Sequence, residues 1–172
     1  MRLLHQVAII AVIGAAGSAS AQSAPPAAPP AGRLLVGAFT GTDVPSGIAS
    51  RTGVSFTVEK TTRVENDGSV SSLALRYSRY GLGGGQAIRS FSPTLESRTY
   101  FGAGKEQFQG RYYVGGFGLN FSRNTSGNQA THLVLSAGVG LDRGNRILEA
   151  RWLLGQVDGE SGLLLGIGTR LR

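Results

Sequence analysis

Apolar and polar residues alternate along most of the chain after residue 33. In the clearest stretch, residues 131–141, the apolar residues occupy the odd positions and the even positions are mostly small or polar. A period of two is typical of a β-strand with two unlike faces. In this part of the chain no apolar pattern at helical spacing persists for three turns. The sequence therefore predicts an all-β domain over residues 33–172.

Seven connections divide the alternating segments into eight strands. The even-numbered connections are short and carry turn signals: 64–69, 105–109 and 142–145. The odd-numbered connections are longer: 42–49, 81–97, 123–130 and 157–161. Short turns at one end and long loops at the other are typical of a transmembrane β-barrel. We therefore predict an eight-stranded antiparallel up-and-down β-barrel that spans a membrane, with both termini on the periplasmic side.

The longest predicted connection, residues 81–97, contains a further alternating stretch at residues 86–92. A ninth strand there would leave the two chain ends on opposite sides of the membrane. We therefore interpret residues 86–92 as part of a long loop that extends the hairpin, and residues 98–104 as the short fourth strand.

The segments before the barrel have compositions of their own. Residues 1–21 combine an early arginine, an eleven-residue apolar run and the small-residue ending Ala19-Ser20-Ala21, which predicts a cleaved secretory signal peptide. The run is too short for a transmembrane helix. Residues 22–32 hold four of the six prolines and predict an extended Ala/Pro-rich linker. The expected location is the outer membrane.

Charge and residue counts narrow the chemistry. The 172-residue chain has 17 Lys and Arg against 10 Asp and Glu, so it is basic and should meet an anion. It has no cysteine, and His132 is the only histidine beyond the signal segment, which excludes disulfides and thiol chemistry. We predict neither a metal site nor a cofactor. An exported chain without a basic helix or binding motif also argues against nucleic acid as a partner.

Several features together carry a family resemblance. They are the signal peptide, the Ala/Pro linker, the eight alternating segments, the Gly/aromatic stretch at residues 112–121 and the closing strand at residues 162–172. The sequence resembles the small outer-membrane β-barrels of the OmpA/OmpX transmembrane-domain type. The resemblance implies a monomer inserted by the outer-membrane assembly machinery, in contact with outer-membrane lipid and lipopolysaccharide.

Alternation reveals two faces without saying which of them points outward. A soluble periplasmic or secreted barrel of the lipocalin type, binding a small apolar ligand, is the alternative. Glycines concentrate on the polar faces, which favours a crowded polar interior. In that interpretation Glu59, Arg76, Glu149 and Arg151 form a salt-bridge network in the lumen.

The same interpretation predicts two girdles of aromatic residues at the membrane interfaces. The girdle towards the loops consists of Phe39, Tyr77, Tyr80, Phe121 and Trp152, and the girdle towards the turns consists of Phe108, Tyr112 and Tyr113.

Four arginines cluster in or beside the predicted loops: Arg51, Arg79, Arg89 and Arg123. A guanidinium pairs well with phosphate, so we predict contacts with the phosphates of lipopolysaccharide.

An eight-stranded barrel has a lumen narrow enough for its own side chains to fill. We therefore predict a structural or surface-interaction role through the long loops, chiefly 81–97, and not a general porin.

Catalysis is a minor alternative. Some eight-stranded outer-membrane barrels act on lipid A with a serine and a histidine, and His132, Ser136 and Glu149 are the only comparable set here. The deacylases of that kind carry the serine two residues after the histidine, where this chain has Val134. We predict that the protein has no catalytic residues and is not an enzyme.

Overall fold

Eight antiparallel strands close into one barrel in which each strand pairs with its neighbours in the chain and β8 pairs with β1. The computed structural model describes residues 31–41, 52–65, 67–83, 85–155 and 161–171. The strands are β1 (Gly32–Gly41), β2 (Thr52–Val64), β3 (Ser69–Gly83), β4 (Gln86–Phe101), β5 (Gly110–Asn124), β6 (Gln129–Arg143), β7 (Arg146–Gly155) and β8 (Gly162–Leu171). The predicted signal peptide and nearly all of the predicted linker lie outside the described residues.

The strands are strongly staggered around the barrel. From Val36 in β1, successive register partners through β2 to β5 lead to Thr131 in β6. In the other direction, through β8 and β7, they lead to Leu141 of the same strand, ten residues further along. This stagger tilts the strands against the barrel axis and gives the lumen its narrow width.

We refer to the two ends of the barrel by their connections. The turn end carries the connections 65–68, 102–109 and 144–145, and the loop end carries 84–85 and 125–128. At the turn end, the Ser69 backbone N–H donates a hydrogen bond of 2.8 Å to Asp67 Oδ1. This bond holds the pKa of the Asp67 carboxyl below its ordinary value.

The fourth strand corrects the sequence prediction. Residues 86–97 belong to β4, which is 16 residues long, so the predicted loop 81–97 is a strand hairpin in which Gly83 pairs with Gln86. At the turn end, Lys105–Gln107 form a short 3-10 helix within the connection 102–109. That connection is longer than 125–128 at the loop end, so the predicted contrast between long loops and short turns does not hold there. The predicted loops 42–49 and 157–161 lie almost entirely outside the described residues.

The two barrel faces are sharply different. Charged and hydroxyl side chains point inward and are buried, whereas a band of large apolar side chains covers the outside. The members of this band include Leu34, Val36, Val54, Phe56, Val58, Leu73, Leu75, Tyr77, Phe91, Leu95, Phe117, Leu119, Phe121, Leu133, Leu135, Leu148, Leu154, Leu165 and Ile167. A water-soluble barrel would show the reverse arrangement, so the lipocalin-like alternative is wrong. Within the described residues, no helix is long and apolar enough to cross a membrane.

The aromatic residues divide between the two faces. Tyr77, Phe121 and Tyr113 lie on the outer surface, as the predicted girdles require. Phe39, Tyr80, Phe108 and Tyr112 are buried, so their assignment to a girdle is wrong. The period of two places Phe39, Tyr80 and Tyr112 on the inward face of their strands, where they pack against other inward side chains.

Candidate functional site: the charged lumen and the outer arginine row

Charged side chains fill the middle of the lumen. The predicted residues Glu59, Arg76, Glu149 and Arg151 all lie there, and none is more than 6% exposed. Glu149 and Arg151 sit two residues apart on the inward face of β7, where Arg151 Nη2 lies 2.6 Å from Glu149 Oε1. Arg151 Nη2 is also 3.7 Å from Glu59 Oε1 in β2, across the lumen. The structure therefore brings three of the four predicted residues together directly.

The fourth residue, Arg76, joins the network through Glu96, which sequence reasoning missed. Arg76 Nη2 lies 3.2 Å from Glu96 Oε1, and Arg151 Nη1 binds the same oxygen. The Thr94 hydroxyl donates a further hydrogen bond of 3.1 Å to it. Glu96 therefore links the arginines of β3 and β7.

Two more arginines in the network were also missed. Arg98 Nη1 pairs with Glu59 Oε2, and Arg33 Nη1 lies 3.3 Å from Glu149 Oε2 and 3.7 Å from Glu59 Oε2. Both arginines are fully buried. Three carboxylates therefore neutralise most of the charge of four arginines in the described part of the lumen.

Tyr112 connects this network to the apolar side chains at the turn end of the lumen. Its hydroxyl donates to Glu149 Oε2 at 2.9 Å and accepts a hydrogen bond from Arg33 Nη2. The Arg33 guanidinium also lies 4.9 Å from the centroid of the Tyr112 ring, a cation–π distance. The ring itself packs beside Tyr100, with 5.2 Å between the centroids.

An aromatic lid closes the turn end of the lumen. Phe108, in the connection 102–109, packs edge-on against Tyr100, and its carbonyl accepts a hydrogen bond from Arg170 Nη2. Arg170 Nε in turn lies 3.1 Å from Asp142 Oδ1, and the Tyr100 hydroxyl donates to Asp142 Oδ2 at 3.0 Å. Phe108 is a non-glycine residue at positive φ (52°), so its backbone is strained. Tertiary contacts therefore hold the lid in place.

A second apolar layer lies towards the loop end. It consists of Phe39, Tyr80, Leu153 and Leu164, with the Phe39 and Tyr80 rings 5.4 Å apart. Between this layer and Arg76 lies a cavity of about 20 Å³, bordered by Ser90, Ser92 and Asn120. This volume holds about one water molecule. Within the described residues, the lumen is thus a charged layer enclosed by two apolar ones.

Three of the four arginines predicted to contact phosphate form a row on the outer surface. Arg79, Arg89 and Arg123 are exposed, and Arg89 directly opposes Arg79 in β3 and Arg123 in β5. They border a depression of about 330 Å³ together with Asn124 and Thr125. No described carboxylate forms an ion pair with any of the three. Arg51 lies outside the described residues.

A row of aromatic residues runs parallel to the arginine row, on the side nearer the middle of the barrel. Tyr77, Phe91 and Phe121 oppose one another in register, each two residues nearer the middle of its strand than the corresponding arginine. Aromatic rings of this kind mark the boundary between the hydrocarbon and headgroup regions of a membrane. The arginine row therefore lies at headgroup level.

The residues considered for catalysis do not meet. His132 and Ser136 face the lumen four residues apart on β6, which corresponds to about 13 Å along a strand. His132 Nε2 and Asn120 Nδ2 are 3.1 Å apart, while Glu149 belongs to the salt-bridge network. The described residues include no group of three or more His, Cys, Asp or Glu side chains able to hold a metal ion.

Comparison with solved structures identifies the same architecture elsewhere. Ail, the attachment invasion locus protein of Yersinia pestis, superposes with a TM-score of 0.57 at 14% identity, over 81% of this chain and 97% of that chain. The N-terminal β-barrel domain of Pseudomonas aeruginosa OprF gives 0.51 at 22% identity, over 81% and 99%. The outer membrane protein OprG from P. aeruginosa gives 0.52 at 12% identity, over 83% and 97%. No protein-family model and no curated protein sequence matches the chain.

The likeness to these structures is one of fold, and the surface of this chain adds the location. Its apolar outer band and polar, closed interior are what a lipid-spanning barrel requires. The protein therefore has the fold of the small eight-stranded outer-membrane β-barrels, and its outer surface is that of a barrel that spans a lipid bilayer.

Proposed function

We propose that the protein is a structural and surface-interaction barrel of the outer membrane that conducts no solutes and contacts lipopolysaccharide phosphates through its arginine row. In this proposal the turn end faces the periplasm and the loop end faces outward. The barrel acts as a monomer, is inserted by the outer-membrane assembly machinery, and needs neither a cofactor nor a nucleic acid.

The layered lumen is the observation that supports a non-conducting role. A general porin requires a continuous aqueous channel, as in barrels of about 16–18 strands, whereas eight strands enclose a lumen that side chains can fill. Here Arg151 crosses the lumen to bind Glu96 and Glu59, and apolar side chains lie above and below it. Moving an ion through would require breaking buried ion pairs, which costs several kcal/mol.

The arginine row supports contact with phosphate. Like charges directly opposite each other on neighbouring strands repel, so Arg79, Arg89 and Arg123 destabilise the sheet unless an anion lies between them. The phosphates of lipid A lie at the headgroup level of the outer leaflet, at the height of this row. The adjacent Asn124 and Thr125 supply further polar groups around the depression.

Lipopolysaccharide binding by the folded barrel in a neutral detergent tests this contact. We expect the triple variant R79Q/R89Q/R123Q to bind about a hundredfold more weakly at low salt, because each arginine near an anionic surface contributes about 1 kcal/mol. R63Q is the matched control, since Arg63 is exposed at the turn end and paired with Glu65. Unchanged binding by the triple variant, or equal binding of dephosphorylated lipopolysaccharide by the parent protein, contradicts the contact.

Cell fractionation tests the membrane barrel itself. We expect the protein in the outer-membrane fraction, with a folded band that shifts on a gel after boiling. Recovery in the soluble periplasmic fraction without detergent contradicts the proposal.

The proposed role is not catalytic, and an activity assay tests this separately. We expect no release of acyl chains when the purified barrel is incubated with lipid A. Deacylation that disappears in His132→Ala would overturn this part of the proposal.

A further inference from the structure

A groove on the outer surface of β7, β8 and β1 ends at an arginine. Its volume is about 420 Å³, and its lining side chains form two adjacent rows in register: Arg146, Thr169 and Leu34, then Leu148, Ile167 and Val36. The apolar members are well exposed, with Ile167 at 64% and Leu148 at 52%. The groove is therefore apolar along its length and basic at the turn end.

A second arginine flanks the basic end. Arg143 and Arg146 directly oppose each other across the β6–β7 hairpin, on either side of the turn 144–145, and both are exposed. Among the described residues, no carboxylate forms an ion pair with either. Two directly opposed arginines repel each other, so an anion held between them stabilises the hairpin.

An occupant must combine an anion with an apolar chain in a fixed order. The anion belongs at the turn end of the barrel, and the apolar part runs from there towards the middle of the membrane. A glycerophospholipid with an acidic headgroup has this order when it lies in the leaflet next to the turn end. We propose that the groove binds one anionic glycerophospholipid, with its phosphate between Arg143 and Arg146 and an acyl chain along Leu34, Leu148 and Ile167.

This site is separate from the arginine row at the loop end. The two lie at opposite ends of the barrel, and the phospholipid site uses none of Arg79, Arg89 and Arg123. It rests on the barrel spanning a membrane with its turn end in the phospholipid leaflet. A lipid-binding measurement on the purified barrel does not depend on that orientation, so failure of one proposal leaves the other intact.

Native mass spectrometry of the folded barrel measures retained lipid directly. The protein is released from micelles that contain equal amounts of phosphatidylglycerol and phosphatidylcholine with identical acyl chains. We expect one phosphatidylglycerol to be retained preferentially. R143Q and R146Q should each lower that retention about fivefold, and the double variant about 25-fold.

Two further variants separate the groove from the charge. T169W fills the groove next to Arg146 and leaves both arginines in place, so we expect it to lower the retention of both lipids. R63Q removes an exposed arginine of the same barrel end that is already paired with Glu65, and it should leave the retention unchanged. A heat-shifted gel band confirms that each variant is folded.

Several results would overturn the phospholipid site. Equal retention of the two lipids by the parent protein would show that headgroup charge plays no part. If R63Q lowered the retention of phosphatidylglycerol as much as R146Q does, the lipid would be held by the general positive charge of the turn end and not by a specific site. Unchanged retention in T169W would show that the groove is not occupied, and a dimer of barrels in place of the lipid adduct would make the groove a protein interface.

Discussion

Arg151 binds Glu149 from two residues along the same strand, with Nη2 at 2.6 Å and Nε at 2.9 Å from Glu149 Oε1. Arg33 reaches the other carboxylate oxygen, Oε2, at 3.3 Å from β1. Glu149 is therefore the shared partner of two buried arginines. Its removal by Glu149→Ala should destabilise the barrel by about 3–5 kcal/mol, because breaking a buried ion pair leaves uncompensated charge. Urea unfolding in detergent, followed by the fluorescence of Trp152, measures the loss.

Second substitutions added to Glu149→Ala test which arginines depend on Glu149 as their counter-ion. Adding Arg33→Ala or Arg151→Ala to Glu149→Ala should recover part of the loss, because each removes a stranded charge. Adding Arg76→Ala should not, since Arg76 pairs with Glu96. Glu65→Ala at the exposed pair with Arg63 is the control, with an expected change of about 0–1 kcal/mol. A loss below about 1 kcal/mol in Glu149→Ala without rescue by any second change argues against the network.

Gly140 and Gly166 make a matched pair on the inward face of the barrel. A Cβ at Gly140 would overlap the hydroxyl-bearing end of Tyr112, which Arg33 and Glu149 hold in place. At Gly166 the nearest atom would be Leu35 Cδ2 at 3.7 Å, an ordinary contact. Gly140→Ala should therefore destabilise the barrel by about 1–3 kcal/mol through overpacking. Gly166→Ala should be neutral or slightly stabilising, and equal losses in the two urea titrations would contradict this account of Tyr112.

Phe108 combines a buried ring with a strained backbone. Phe108→Ala should lower the free energy of unfolding by about 3–5 kcal/mol, because it removes the buried ring that packs against Tyr100 at the turn end. Phe108→Gly loses the same ring but relieves the backbone, since glycine adopts a φ of 52° without steric cost. The glycine variant should therefore be at least as stable as the alanine variant, although glycine is ordinarily the worse substitution. A glycine variant clearly less stable than the alanine variant would show that the backbone at Phe108 is not strained.

The closed lumen predicts the behaviour of the barrel in liposomes. Liposomes that contain the folded protein should swell in isotonic monosaccharide no faster than protein-free liposomes. The reason is that the cavity beside Arg76 inside the barrel has a volume of only about 20 Å³. Swelling at the rate given by a 16-stranded porin at equal protein content would contradict the non-conducting role.

The sequence predicted the two faces well where one face is purely apolar. In β6 the outward positions run through Leu133, Leu135 and Leu141, so the alternation places His132 and Ser136 together on the other face, which is the inner one in the structure. In the part of β4 that the pattern does not reveal, the outward positions include Arg89 and Ser97, while the inward ones include Ser92 and Glu96. Polar residues on both faces hide the period of two, and Pro93 adds a further loop signal. The pattern therefore predicts a loop where residues 86–97 form part of β4.

Which charged side chains pair in the lumen depends on distances across the barrel, and the order of residues along the chain does not give these distances. The pattern does not reveal Glu96 because residues 86–97 are predicted as loop, Arg98 because the predicted strand 98–104 is short, and Arg33 because its segment is apolar on both faces. The pairing of Arg151 with Glu96 joins β7 to β4 across the lumen, and the stagger of the closed barrel determines which side chains meet there. Counting inward charges by parity along β1 and β4 would have found all three.

Pairing across the lumen has a consequence for how the protein enters a membrane. Arg33 belongs to the first strand and Glu149 to the seventh, and the two meet only after β8 has joined β1. In a partly closed sheet Glu149 keeps Arg151 and Arg33 keeps Glu59, but the pair between Arg33 and Glu149 is absent, and leaving a buried charge with fewer partners in lipid is costly. We therefore expect half-inserted intermediates to be disfavoured, because the contact between the first and seventh strands forms together with strand closure and couples the two ends of the barrel domain.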